Sequence, residues 1–249
     1  MIMMVISKGK LKKIIISILI ILLIVAGIIF TMKENQSIPS INILDLAKAP
    51  YTQGTKKDSG YVALTCNVDL GWEDEYVISI LETLKRENIH ITFNVTGKWS
   101  ENKKDLLLRM KEEGHEIGNH GYKHLDYANL SYDDNYNQIS TSKKIIEDVI
   151  GEETKFFQAP AGSFGSNTVK AAERLNYICF KWDVDTIDWQ DRDNPQKIIE
   201  RVKSKDIVDG SIILMHPTDA TTKCLDNIIE IIKNKNLKPG RLSDVFDVD

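Results

Sequence analysis

The sequence predicts an α/β domain built on a parallel sheet, and three observations carry that prediction. Short continuous apolar runs such as Tyr61-Val62-Ala63-Leu64-Thr65-Cys66 read as strands covered on both faces. Between them lie stretches with a helical apolar stripe, of which Glu73 to Asn88, carrying Val77, Ile80, Leu81 and Leu84, is the clearest. Polar residues with chemical potential, namely Asn67, Asp69, Asn119, His120, Gln158, Asp183, Asp185, Asp188 and His216, fall just past the ends of apolar runs. In a closed α/β barrel that rim is where chemistry is done, and an open doubly wound sheet gathers its ligands there too. The sequence has no glycine-rich turn of the phosphate-cradling kind, which argues against a nucleotide-binding open sheet.

Taken in order, the chain of 249 residues opens with a basic segment, 1–13, containing Lys8, Lys10, Lys12 and Lys13. Residues 14–32 follow, interrupted only by Ser17, Gly27 and Thr31, and are long enough to cross a bilayer core of about 30 Å as a helix. The upstream lysines place the amino terminus in the cytoplasm, so the rest of the chain is expected outside the cell membrane as a single-pass protein. A cleaved signal peptide, giving a secreted protein, is the alternative, but no convincing Ala-x-Ala site follows Phe30. Residues 33–59, with Pro39, Pro50 and Gly54, read as an extracytoplasmic linker, and 60–249 as one domain. Within it, strands are predicted at Tyr61–Cys66, Ile89–Val95, Glu116–Gly118, Phe156–Phe157, Tyr177–Trp182 and Ser211–Met215. Helices are predicted at Glu73–Asn88, Asp105–Glu113, Ser131–Ile150 closed by Gly151, Asn167–Leu175, Pro195–Lys203 and Asp226–Lys235. A net charge of −4 gives no footprint for nucleic acid. Cys66, Cys179 and Cys224 are widely spaced and odd in number, which indicates neither a disulfide framework nor a thiolate metal site.

The chemistry begins with Asn119-His120-Gly121-Tyr122-Lys123-His124, where two imidazoles four residues apart in a polar loop can close on one metal ion. Asn67-Val68-Asp69 offers a third ligand and Leu214-Met215-His216 a proton donor. Imidazole nitrogen with carboxylate oxygen suits zinc, with a coordination position left open for water. Asp183, Asp185 and Asp188, taken alone, read as a solvated acidic loop, and His90 and His115 as structural.

Five ordered segments then coincide: Thr65-Cys66-Asn67-Val68-Asp69, His120-Gly121-Tyr122-Lys123-His124, Gln158-Ala159-Pro160-Ala161-Gly162, Asp185-Thr186-Ile187-Asp188-Trp189 and Leu214-Met215-His216. From about Gly60 to its end the chain resembles the polysaccharide deacetylases of carbohydrate esterase family four, and within them the membrane-anchored, sporulation-associated branch. The resemblance implies a distorted, incomplete (β/α) barrel and hydrolysis of the acetamide of N-acetylated amino sugars, in peptidoglycan or chitin-like oligomers. It implies Asp69, His120 and His124 as ligands of a divalent metal, zinc first and cobalt or another ion as alternatives. His216 would be the general acid, charged and oriented by Asp188. Trp189 and Leu214 would receive the acetyl methyl, Ala161 would give an oxyanion donor, and Gln158 and Pro160 would complete the substrate contacts.

Two linked positions depart from that family. Asn67 stands where the resemblance implies an Asp base, and Gln158 where it implies the Arg that pairs with the base. An amide oxygen is a far weaker proton acceptor than a carboxylate. An Arg without its carboxylate would be an unpaired charge, so the second change follows from the first. The expectation is a deacetylase of weakened activity; the rival is a catalytically silent, membrane-tethered glycan-binding domain that keeps the metal site.

Overall fold

The structure is a computed structural model and describes residues 49–248. The basic segment, the candidate membrane helix and the linker as far as residue 48 lie outside the described residues, among which no helix is long and apolar enough to cross a membrane.

Strand β1 (Tyr61–Val68) organises the sheet. It pairs in parallel with β7 (Ile212–Met215) along Ala63–Cys66, with β8 (Lys238–Gly240) along Tyr61–Ala63 and with β2 (Thr92–Val95) along Thr65–Val68. Since the β7 ladder overlaps both of the others, β8 and β2 must follow one another along the opposite edge. β3 (Glu116–Asn119), β4 (Phe156–Phe157) and β5 (Ile178–Cys179) continue beyond β2, and β6 (Val184–Asp185) lies beyond β7. Every named ladder is parallel, as the apolar runs predicted.

The curled sheet is left open between β5 and β6, and the segment leading into β1 spans the gap. Tyr51 bridges to Phe180 and Gln53 to Ser211, while the Gly54 N–H donates to the Gly210 carbonyl at 2.7 Å. Residues 51–54, which the sequence assigns to the linker, are therefore strapped to the domain. The arrangement is in keeping with an incomplete barrel rather than an open doubly wound sheet.

Eight helices are described: α1 (Asp74–Glu87), α2 (Gly97–Asn102), α3 (Lys104–Glu112), α4 (Tyr132–Ile150), α5 (Ser166–Arg174), α6 (Pro195–Lys203), α7 (Asp219–Lys233) and α8 (Leu242–Val245). Their ends follow local chemistry. The Ser131 hydroxyl accepts the Asp134 N–H at the start of α4, and left-handed Gly151 ends it. Pro195 opens α6 behind Asn194, whose side chain accepts the Lys197 N–H. The sequence missed α2, α8, β6 and β8, each under seven residues, and placed the start of α7 at Asp226 instead of Asp219. The apolar stripe of α7 is carried from Cys224 onward, and its first turn is capped by the Thr218 hydroxyl. Of the strand expected at Tyr177–Trp182 only Ile178–Cys179 is paired as a strand.

The two-residue period of the strands sorts side chains between two environments. Val62, Leu64, Cys66 and Val68 of β1 join Phe93, Val95, Ile213 and Met215 in the core beneath the helices. The alternate positions face the other way. There Ala63, Phe156 and Ile212 pack with Phe180, Leu242, Val245 and Phe246 into an apolar plug. One step further along the same faces, toward the carboxyl ends of the strands, the side chains are Asn67, Asn94, His120, Gln158 and His216.

Candidate active site

Those carboxyl ends surround a cleft of about 570 Å³. Asn67, Asp69, His120, His124, Ala161, Trp189, Leu214 and His216, all expected from the sequence, line it together with Trp72, Trp182, Asp185 and Arg192. Two expectations are corrected. Gln158 and Pro160 are buried and do not line the cleft, so their side chains cannot serve as the substrate contacts predicted for them.

Asp69 stands one residue beyond β1. The Gly71 N–H donates to its Oδ1 at 2.7 Å, leaving Oδ2 4.0 Å from Nε2 of His124. His120 is buried at the end of β3, its ring centroid 5.8 Å from that of His124. Burial, reinforced by the neighbouring His124, pushes its pKa down to about 3, so the ring is neutral. Its Nδ1 lies 2.7 Å from the Gln158 carbonyl, which cannot donate. Nδ1 therefore carries the proton, and Nε2 keeps a free lone pair of the kind a metal uses. Gln158 thus serves the site through its backbone.

No group of three His, Cys, Asp or Glu side chains among the described residues is drawn into a finished metal cage. The donor set nevertheless fits a divalent cation: one carboxylate with a directed oxygen, one imidazole locked as an acceptor, and a second on a half-exposed loop side chain. Gly121 lets that loop turn, since its φ is +74° and a Cβ there would run into the Tyr127 hydroxyl and ring.

The base position is the floor of the cleft. Asn67 Oδ1 accepts from Nδ2 of Asn94, its register partner on β2, at 2.9 Å. Asn94 Oδ1 and both polar side-chain atoms of Gln158 are buried without a hydrogen bond. Gly118 accommodates the Asn94 amide, which occupies the space a Cβ would need. Asn67 at the floor is therefore backed by buried carboxamides, Asn94 and Gln158, both incompletely satisfied, a costly arrangement for buried polar groups.

Across the cleft, Asp188 is wholly buried and accepts three hydrogen bonds. Its Oδ1 receives Nδ1 of His216 at 2.8 Å, and its Oδ2 receives the His216 N–H and the Thr221 hydroxyl, each at 2.6 Å. With Nδ1 held on the carboxylate, Nε2 is the His216 nitrogen left to exchange a proton. Asp188 follows Ile187, a β-branched residue at φ 52°, and Ala161 has the same φ of 52°. Such backbone costs about 1–3 kcal/mol at each position and concentrates at functional sites. Trp72 completes the wall, its ring centroid 5.2 Å from that of His216.

The sequence did not single out Asn94, Trp72, Thr221 or Arg192. Asn94 was discoverable in principle, being a polar residue in the middle of an apolar strand. Thr221 was hidden because its bond to Asp188 joins residues 33 apart.

The fold and this rim of side chains define an incomplete α/β barrel with a candidate metal-binding cleft at the carboxyl ends of its strands, and comparison with known proteins fixes the family. Residues 54–180 match the polysaccharide deacetylase family, and the chain belongs to it. It is 35% identical over 213 residues to the uncharacterized protein YlxY of Bacillus subtilis, covering 86% of this chain and 65% of that protein. It is 33% identical over 190 residues to a peptidoglycan-N-acetylglucosamine deacetylase of Bacillus cereus, covering 74% of this chain and 68% of the enzyme. Among solved structures, a family 4 carbohydrate esterase pseudoenzyme from Bacillus anthracis superposes with a TM-score of 0.75 at 34% identity, covering 85% of this chain and 74% of that one. A mutant of that pseudoenzyme has restored enzymatic activity.

Proposed function

We propose that the protein is a metal-dependent N-deacetylase of peptidoglycan acting outside the cell membrane, slowed by the amide at position 67. The observation that carries this reading is the meeting, in one cleft, of the Asp69-His120-His124 donor set with a His216 whose Nδ1 is held by buried Asp188. Those three donors would hold a divalent cation, zinc by donor chemistry, which when bound polarises the acetamide carbonyl and supplies a nucleophile near neutral pH.

The chain's own residues do the rest. Trp189, 49% exposed, and Leu214 would give the acetyl methyl an apolar wall, and the N–H of Ala161, which lines the same cleft, would donate to the carbonyl oxygen as it gains negative charge. His216 donates its Nε2 proton to the departing amine as the carbon–nitrogen bond breaks; Asp188 stabilises the charged ring before the transfer and keeps the Nδ1 proton in place afterwards. Asn67 cannot take the proton of the attacking water. Loss of a general base costs about 10²- to 10⁴-fold.

A second reading, a silent glycan-binding domain, is favoured by the carboxamide floor and by the resemblance to a pseudoenzyme. Acetate release from purified peptidoglycan by the full chain, supplied with zinc or cobalt, separates the two. The expected result is slow release that rises about 100-fold or more in the Asn67→Asp, Gln158→Arg double variant, in which the new carboxylate gains a cationic neighbour. No gain, with metal still bound, would remove the missing base as the explanation.

A further inference from the structure

Proton transfer and the metal donor set leave two charged groups of the cleft unused: Asp185, whose Oδ1 accepts the Ile187 N–H at 2.8 Å, and one cation. Arg192 lines the same cleft as Asp69, His120 and His216. Its Cζ lies 4.6 Å from the centroid of the Trp72 ring, and its Nε donates to the Trp189 carbonyl at 3.0 Å. Its backbone carbonyl accepts the Ala220 N–H from the first turn of α7 at 2.8 Å. Side chain and backbone are thus both held, yet the two terminal nitrogens have no partner among the described residues. Four of the other five arginines, Arg86, Arg109, Arg201 and Arg241, each pair with a carboxylate, and the fifth, Arg174, lies on α5 and does not line the cleft. Of the two carboxylates flanking Arg192 in sequence, Asp191 is drawn away by Lys197 and Arg201 at 2.7 and 2.6 Å, and Asp193 makes no ion pair with the guanidinium among the described residues.

A guanidinium stacked on an indole and pinned through Nε is oriented in advance, which is what planar, two-point recognition of a carboxylate requires. Trp72, which carries it, also packs against His216, so an anion bound there sits beside the reacting acetamide. The two sugars of peptidoglycan differ in this respect. N-acetylmuramic acid carries a lactate ether on the ring carbon next to the acetamido carbon, and N-acetylglucosamine a neutral hydroxyl.

We propose that Arg192 is a specificity-determining residue that binds a carboxylate carried by the sugar in the cleft, selecting N-acetylmuramic acid residues with a free lactyl carboxylate over N-acetylglucosamine. The proposal rests on the glycan-directed reading above. It makes Arg192 a binding group for substrate, with no part in proton transfer.

The test is equilibrium binding to the full chain, followed by the fluorescence of the tryptophans in the cleft. The probes are a peptide-free peptidoglycan tetrasaccharide with free lactyl carboxylates and the N-acetylglucosamine tetramer. The wild type is expected to prefer the carboxylated tetrasaccharide by about 10-fold or more, and added salt should erode that preference. Arg192→Gln should bring the ratio close to one, mainly by weakening the carboxylated ligand, and Arg192→Lys should restore part of it. Equal binding of both probes by the wild type, or an unchanged ratio in Arg192→Gln, would overturn the proposal while leaving the glycan reading in place. Binding of neither probe would overturn both.

Discussion

Replacing Thr221 with Val removes one hydroxyl and almost no volume, and its effect can be worked out from the Asp188 network. Asp188 is fully buried and relies on three donors, of which the Thr221 hydroxyl, at 2.6 Å, is the only one outside His216. A hydrogen bond to a charged group contributes roughly 1.5–3 kcal/mol, and a buried acceptor left short cannot turn to water. The substitution also takes the Thr218 hydroxyl's partner at 2.9 Å, although that hydroxyl still accepts the Thr221 N–H. The expected loss is about 2–3 kcal/mol in urea unfolding, or a fall in Tm of roughly 4–12 °C for a domain of this size. A double-mutant cycle isolates the bond. In an Asp188→Ala background the same Thr221→Val change should cost under about 0.5 kcal/mol, because nothing remains for the hydroxyl to hold. An equal cost in both backgrounds, or a negligible one in the wild type, would refute the claim that Thr221 acts through Asp188.

Two further predictions concern the scaffold around the site. Burial, with a smaller effect from His90, pushes the His115 pKa from 6.5 down to about 4, and its Nδ1 accepts the Ile91 N–H at 3.2 Å, which only the neutral ring allows. The unfolded chain therefore takes up a proton that the folded chain refuses. Stability is complete above pH 6.5 and declines as pH falls toward 4, by on the order of 3 kcal/mol from this group. Urea midpoints measured from pH 7 to 4 should fall less steeply in His115→Asn, and parallel curves for the two proteins would contradict the assignment. Gly121→Ala puts a Cβ at φ +74° against the Tyr127 hydroxyl and should cost roughly 2–5 kcal/mol while weakening metal binding, read by thermal melts and calorimetry. A variant with wild-type stability would show that the loop tolerates another path.

The parallel sheet was legible because fully covered strands leave continuous apolar runs, and the order of elements followed from the alternation with helical stripes. The shape of the site followed from the same pattern carried one step further. On β1 the side chains that alternate with the helix-side core run Ala63, Thr65, Asn67, so the face that packs the apolar plug leads directly into the cleft. Contacts between strands were not legible. The Asn67–Asn94 pair depends on register, and the Thr221–Asp188 and Arg192–Trp72 contacts depend on how α7 and the loop after β6 fold back. Gln158 was misplaced for a related reason. A motif gives a residue's place along the strand, but whether its side chain reaches the cleft or stays beneath it depends on the neighbours packed above. Its contribution through a backbone carbonyl could not be seen in a side-chain pattern at all.

The account as a whole turns on whether Asp69, His120 and His124 hold one divalent cation. Titration of the metal-stripped full chain with zinc, followed by calorimetry, puts that to the most direct test. One equivalent bound per chain, lost in His120→Ala and retained in Asn67→Asp, is the predicted result. Stoichiometric zinc in His120→Ala, or none in the wild type, would contradict it.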